Sequence, residues 1–331
     1  MDTGGTKRSI SSDSIVAPDI TSVRTYFSVL DLKPDALEEC LALAGRLKRE
    51  RAMGSGAPTT SALAGHSLAL LFDKPSLRTR TGFEIAMREL GGFVTCPPSA
   101  DALGTREALA DVARTLERWV SVAAIRTFEQ SRLHEIAHAT TKLRIVNALT
   151  NEEHPCQALA DCLTLQERFG SMQGRTLAYV GDGNNVATSL THAASMLGLN
   201  LHLASPESYC LPEETLDAAR RVARHGARIV QFHEPFEAVR GADAVYTDVW
   251  TSMGQEKEAN RRHDAFTGYR VTTALMTEAR PKAFFMHCLP AHRGEEVDAA
   301  VIDGPKSAVF DQAENRLHTQ KALLLMMLGD R

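Results

Sequence analysis

Short apolar runs alternate along the chain with stretches in which apolar residues recur every three or four positions. Runs of strand length bounded by turn residues predict strands at 67–72, 122–126, 144–147, 176–181, 199–204, 228–231, 244–247 and 283–286. The longer-period stretches predict helices at 35–50, 76–90, 106–120, 130–139, 155–169, 185–197, 212–225 and 312–328. Phe83, Ala86, Met87 and Leu90 show the rule: they share one helical face, and Gly91-Gly92 end it. Strand–helix alternation of this kind predicts parallel sheets covered on both faces, with ligands outside the carboxyl ends of the strands. The expected class is α/β. Pro155 suits the first turn of a helix with His154 as its cap, and Gly170 is a natural stop. That helix is expected to link two α/β halves, which puts the boundary near residue 150. The last helix ends in Ala322-Leu323-Leu324-Leu325-Met326-Met327-Leu328, so it must be buried in its own half or against the first.

Composition narrows the class. The 331 residues suffice for one large or two medium domains. A net charge of −4 gives no basic balance for nucleic acid, so positive charge that matters must be local. No apolar run approaches the roughly 20 residues that span a bilayer, and no membrane partner is expected. Met1 to Ser22 is rich in Ser, Thr, Gly and Asp and lacks a secretory apolar region, which reads as a disordered extension or surface arm over residues 1–24. The cysteines at 40, 96, 156, 162, 210 and 288 form no CxxC pair. Neither a metal site nor a disulfide framework is expected, and a reducing, cytoplasmic setting fits.

Candidate chemistry gathers at strand ends. Ser76-Leu77-Arg78-Thr79-Arg80 opens a helix after the strand 67–72 and the turn Asp73-Lys74-Pro75. Ser76 is the expected N-cap. Free backbone N–H groups, the positive helix end, the Arg78 fork and the Thr79 hydroxyl make an anion site there. The bland alternative is a capped surface helix with two solvated arginines. Arg126 ends its strand, facing either the ligand crevice or a surface carboxylate. His154 and Gln157, three apart, face one ligand or serve as cap and solvated amide; Cys156 is expected in the core. Gly181-Asp182-Gly183-Asn184-Asn185 resembles half of a dinucleotide fingerprint, but position 186 is Val where the third Gly belongs. An NAD-linked oxidoreductase is thus an alternative, weakened further because Leu201-His202-Leu203-Ala204 ends without an acidic residue. Asn185 can read a carboxylate or an amine. Asp248, in Asp248-Val249-Trp250-Thr251-Ser252-Met253-Gly254, is a partner for an ammonium or an Asx-type cap. Ser252 and Met253 lie in a loop suited to closing over a small molecule. Cys288, in His287-Cys288-Leu289-Pro290, is a nucleophile, a hydrogen-bonding group or packing. Arg316 is placed at the opening of the last helix, a third guanidinium for the anion site.

Taken together, these motifs resemble the aspartate/ornithine carbamoyltransferase family from about Tyr26 to the C-terminus. Ser76-Leu77-Arg78-Thr79-Arg80 and His154-Pro155-Cys156-Gln157 are marks of the whole family. The runs at 248–254 and 287–290, with 181–185, resemble its ornithine branch. The resemblance implies two α/β domains with the active site in the cleft between them and the last helix (about 312–329) packing back on the first. Residues 25–150 would bind carbamoyl phosphate and 151–331 ornithine. It implies that Ser76, Leu77 through its backbone, Arg78, Thr79, Arg126, His154, Gln157, Cys288, Leu289 and Arg316 hold carbamoyl phosphate, with Arg126, His154 and Cys288 nearest the chemistry. Asn185, Asp248, Ser252 and Met253 would hold L-ornithine. The implied reaction needs no cofactor, because phosphate is already a good leaving group. A homotrimer or a multiple of trimers is the implied assembly. N-acetylornithine and putrescine are alternative acceptors within the family. Three positions depart from the family's pattern: Leu77 where Thr is commonest, Gly82 for a common Ser, and Ala102 where many members carry a Gln near the carbamoyl phosphate.

Overall fold

The structure is a computed structural model describing residues 23–98, 103, 106–251 and 256–329. Two five-stranded parallel sheets form the frame. The first takes β1 (Thr25–Tyr26), β2 (Ser67–Phe72), β3 (Phe93–Thr95), β4 (Val122–Arg126) and β5 (Arg144–Leu149) in the order β1-β5-β4-β2-β3. The second takes β6 (Thr176–Val180), β7 (Asn200–Ala204), β8 (Ile229–Phe232), β9 (Ala244–Thr247) and β10 (Phe284–His287) in the order β10-β9-β6-β7-β8. Central strands are buried along their length, as β4 is at every position, which is why they read as continuous apolar runs rather than alternating ones. Leu68 pairs with Val122 and Phe72 with Arg126, so β2 and β4 end level and present Asp73 and Arg126 at one edge.

Helices cover both faces. The first half carries α1 (Pro34–Arg51), α2 (Leu77–Glu89), α3 (Leu109–Leu116) and α4 (Ser131–Ala139); α5 (Pro155–Phe169) joins the halves. The second carries α6 (Asn185–Met196), α7 (Glu213–Val222), α8 (Pro235–Val239), α9 (Ala259–Ala265), α10 (Thr273–Glu278), α11 (Ala299–Ile302) and α12 (Val309–Leu328). Pro155 is the first residue of α5 and Gly170, at φ 75°, stops it. Helix α5 is buried without interruption from Pro155 to Leu165, because α12 lies along it. Helix α12 also packs on α1 and α2, so the last helix does return to the first half. Lys321 reaches Glu89 at 3.2 Å and Lys48 donates to Asn315 at 2.8 Å across that return. One apolar core containing Leu68, Phe83, Leu159, Leu177 and Leu323 runs through the join.

Expectations shift at several element ends. The last helix begins at Val309 rather than 312, so Arg316 stands in its second turn and does not open it. Gly181 falls outside β6, at φ 149°. The helix expected at 106–120 shortens to α3, whose buried face is only Val112, Ala113 and Leu116.

Candidate active site

The carboxyl ends of both sheets open on one cleft of about 1170 Å³ between the halves. On the first half, Ser76 caps α2: its extended backbone turns the side chain so that Oγ accepts from the Thr79 N–H at 3.3 Å. That leaves other first-turn N–H groups of α2 facing the cleft, with Arg78 and Thr79 beside them. Arg126 lines the same cleft and is buried. Burial, with Arg316 and Arg78 close by, lowers its guanidinium to about 10. Arg316 is lowered chiefly by burial as well. No carboxylate hydrogen-bonds Arg78, Arg126 or Arg316 among the described residues, and the Nε atoms of Arg126 and Arg316 are buried without a partner. Buried cations gathered without an anion leave a desolvation cost that a bound anion offsets.

Arg316 reaches this site from α12. Its Nη1 donates to Gln157 Oε1 at 2.5 Å and its Nη2 to Thr79 Oγ1 at 2.6 Å, so one guanidinium braces α2 against α5. His154 is the N-cap residue of α5, yet its side chain makes no cap hydrogen bond. Its backbone N–H instead donates to Ser189 Oγ at 2.9 Å, and its buried Nδ1 has no partner. Burial first, then Arg316, Arg126 and Arg78, hold the imidazole well below its ordinary range, so it is neutral. Cys156 lies in the core, its thiol pushed up to about 12 by burial.

The second half supplies an acceptor. The Cys288 thiol donates to Asp248 Oδ1 at 2.9 Å, and Asn184 Nδ2 donates to Asp248 Oδ2 at 2.8 Å. Asp248 also accepts from the Val249 N–H at 2.8 Å, the local cap at a strand end, and it lines the cleft as well. Leu289 follows Cys288 at φ 59°, a left-handed conformation that costs a branched residue about 1–3 kcal/mol. Its N–H donates to His287 Nδ1 at 2.9 Å. Asn185 turns its amide N–H to the Thr150 carbonyl at 2.5 Å, crossing from one half to the other, and lines the cleft. Ser252, Met253 and Ala102 lie outside the described residues.

The alternative of a dinucleotide site fails on local geometry. Asn184 Oδ1 accepts from the N–H groups of Val186 at 2.9 Å and Ala187 at 3.1 Å, covering the helix end a pyrophosphate needs. Asp182 is engaged by Arg262 at 2.7 Å.

The structure adds residues that motif reading missed. Lys74 lines the cleft over the Phe128 ring at 4.1 Å and donates to Asn151 at 3.0 Å. Its signal was its place in the turn between a buried strand and the capped helix. Asn184 holds Asp248, while its neighbour Asn185, the expected reader of a ligand group, turns its N–H to Thr150. Asp161, one turn beyond Gln157, accepts from it at 2.8 Å.

A cluster of arginines that no carboxylate hydrogen-bonds among the described residues, facing a carboxylate–thiol pair across the cleft, defines a site that sets an anionic donor against an amine. Two family models match: the carbamoyl-P binding domain of aspartate/ornithine carbamoyltransferase over residues 24–167, and its Asp/Orn binding domain over 173–327. The chain belongs to the aspartate/ornithine carbamoyltransferase family. It is 48% identical over 308 residues to an ornithine carbamoyltransferase of Symbiobacterium thermophilum, covering 92% of this chain and 98% of that one. It is 46% identical to that of Geobacillus stearothermophilus, covering 92% and 97%. Among solved structures, ornithine carbamoyltransferase from Pyrococcus furiosus superposes with a TM-score of 0.88 at 41% identity, covering 93% and 97% of the two chains.

Proposed function

We propose that this chain transfers the carbamoyl group of carbamoyl phosphate to the δ-amine of L-ornithine, giving citrulline and phosphate. The observation that carries the reading is the group of Arg78, Arg126 and Arg316, buried or half-buried and unpaired by any carboxylate among the described residues. In this reading residues 25–150 hold carbamoyl phosphate and 151–331 ornithine. Ser76, the Leu77 backbone, Arg78, Thr79 and Arg316 take the phosphate; Arg126, His154, Gln157, Cys288 and Leu289 surround the carbamoyl end. Asn185, Asp248, Ser252 and Met253 take the amino-acid end.

The amine nitrogen attacks the carbamoyl carbon, the carbon–oxygen bond to phosphate breaks, and the amine proton passes to a phosphate oxygen. Arg126 and the neutral His154 donate to the carbonyl oxygen as negative charge grows on it. Arg78, Arg316 and the α2 terminus hold the leaving phosphate. The amine, with a free pKa of about 10.4, must be neutral to attack, and closure beside these arginines lowers it. Citrulline formation from carbamoyl phosphate with ornithine, N-acetylornithine, putrescine and aspartate tests the reading. Ornithine should win by a large factor, because Asp248 requires a free α-ammonium; another winner overturns the ornithine assignment. Arg78→Ala should raise the KM for carbamoyl phosphate at least about a hundredfold, as loss of charged hydrogen bonds implies, and near-normal kinetics would remove its role.

The assembly we assign is a homotrimer or a multiple of trimers, in the cytoplasm. Phe93 and Trp119, 68% and 72% exposed, line one groove along the edge strand β3, an apolar surface that a second copy would cover. Sedimentation should return a multiple of three chain masses, and Trp119→Glu should lower it without changing the circular dichroism. A monomeric wild-type chain would refute the assignment.

A further inference from the structure

Asp161 is completely buried where α5, β9 and α12 meet. Its Oδ1 accepts from Gln157 Nε2 at 2.8 Å and from Gln312 Nε2 at 2.6 Å, and its Oδ2 accepts from the Tyr246 hydroxyl at 3.2 Å. Each partner leads onward to the cleft. Gln157 Oε1 accepts from Arg316, which in turn donates to Thr79. Gln312 Oε1 accepts from the His287 N–H at 2.9 Å, immediately before Cys288. Tyr246 stands two residues before Asp248.

The two ends of a glutamine amide have nearly the same shape but opposite hydrogen-bonding character. An acceptor at Oδ1 draws both NH2 groups toward Asp161. Both carbonyl oxygens then face outward, one to Arg316 and the other to the end of β10. We propose that Asp161 is a positioning residue for the transfer reaction, orienting Gln157 and Gln312 together so that the phosphate-side guanidinium and the Cys288 strand end hang from one buried carboxyl. This rests on the reaction assigned above and adds to it a residue that touches neither substrate.

Burial raises the Asp161 carboxyl to about 7, against the pull of the Gln157, Gln312 and Tyr246 donors and of Arg316. The other titratable groups that feel its charge are Tyr179 from β6, Cys162 on α5 and Cys288 beyond β10. A proton on Oδ2 can be donated to the Tyr246 hydroxyl, which leaves Oδ1 an acceptor. The amide orientation therefore survives in either ionisation state, and asparagine with its NH2 toward Tyr246 reproduces the neutral form.

The test compares Asp161→Asn with Asp161→Leu and Asp161→Ala in the full chain. It reads the KM for each substrate and, by calorimetry, the Kd for inorganic phosphate. Asn should leave the phosphate Kd and carbamoyl phosphate KM within about threefold, while Leu and Ala should raise both at least about tenfold, the scale of one lost buried hydrogen bond. A merely structural carboxyl would lower the Tm of Leu and Ala but leave the phosphate Kd unchanged, and that result overturns the proposal. So does an Asn variant as damaged as Leu, since charge rather than an acceptor would then be required. If neither acceptor-less variant folds, Asn decides: retained phosphate affinity supports the proposal and a loss of about tenfold or more overturns it. Absence of citrulline from the wild-type chain would remove the assigned reaction, whereas the phosphate titrations would still test the orientation.

Discussion

At Cys288, the choice between nucleophile and hydrogen-bond donor is decided by the surroundings. Burial, then the charge of Asp248 and their hydrogen bond, pushes the thiol well above its ordinary range. The thiolate is the reactive form, so this sulfur stays protonated and donates to Asp248. Cys288→Ser keeps a donor in place. It should raise the KM for ornithine and lower kcat by no more than about tenfold, with no carbamoyl adduct in the intact mass. Complete loss of turnover in that variant together with a carbamoyl thioester trapped on the wild-type chain would make Cys288 a nucleophile. His154 follows the same logic with opposite sign. Its depressed basicity keeps it neutral, so kcat/KM should show no inflection from it between about pH 6 and 8. An inflection there that His154→Asn abolishes would show an imidazolium instead. Residues such as Arg126 and Cys288 were legible in sequence because a polar group at the end of a buried strand has little choice but to face the crevice. Asp161 was not, since an acidic residue four positions past Gln157 looks like any solvated helical position until the helix is known to be buried all round.

The elements themselves were legible where length and period were unambiguous. Strands β2, β4 and β9 and helix α5 have the bounds their patterns predict. Strand β1, of two residues, and β3, of three, are too short to carry a period, and tertiary pairing alone defines them. The four short helices α8 to α11 escaped for the same reason. Gly82, inside α2, costs about 0.5–1 kcal/mol in helix propensity against alanine. A Cβ there would meet only the amide end of the Gln320 side chain of α12, which would have to turn aside. The cap at Ser76 is the element on which the anion site depends. Ser76→Ala should cost about 1 kcal/mol and lower Tm by a few degrees. Its KM effect should fall on carbamoyl phosphate and spare ornithine. A change confined to ornithine would place the anion site elsewhere than the α2 terminus.

The two halves meet through α5 and α12, and the polar groups sealed at that meeting make the whole molecule sensitive to pH. Burial raises Asp161 there to about 7 and, away from the join, Asp182, held by Arg262 beside the cleft, to about 6, from an ordinary 3.8. A carboxyl whose folded value exceeds its unfolded one binds more protons in the native state. Its contribution to stability is full below the unfolded value and is lost as pH rises through the folded one. The window is thus about pH 4 to 7, opposite in direction to an ordinary salt-bridged carboxylate. Sequence reading predicted two halves and a linking helix but not this slope, because it arises from which acids the closure of α12 over α5 cuts off from water. The Tm of the wild-type chain relative to Asp161→Asn should therefore fall by a few degrees between about pH 5 and 8, the asparagine having no proton to lose. A difference that stays flat would mean that the three donors and Arg316 keep Asp161 ionised throughout. In that case the carboxyl acts at the join as a fixed negative charge.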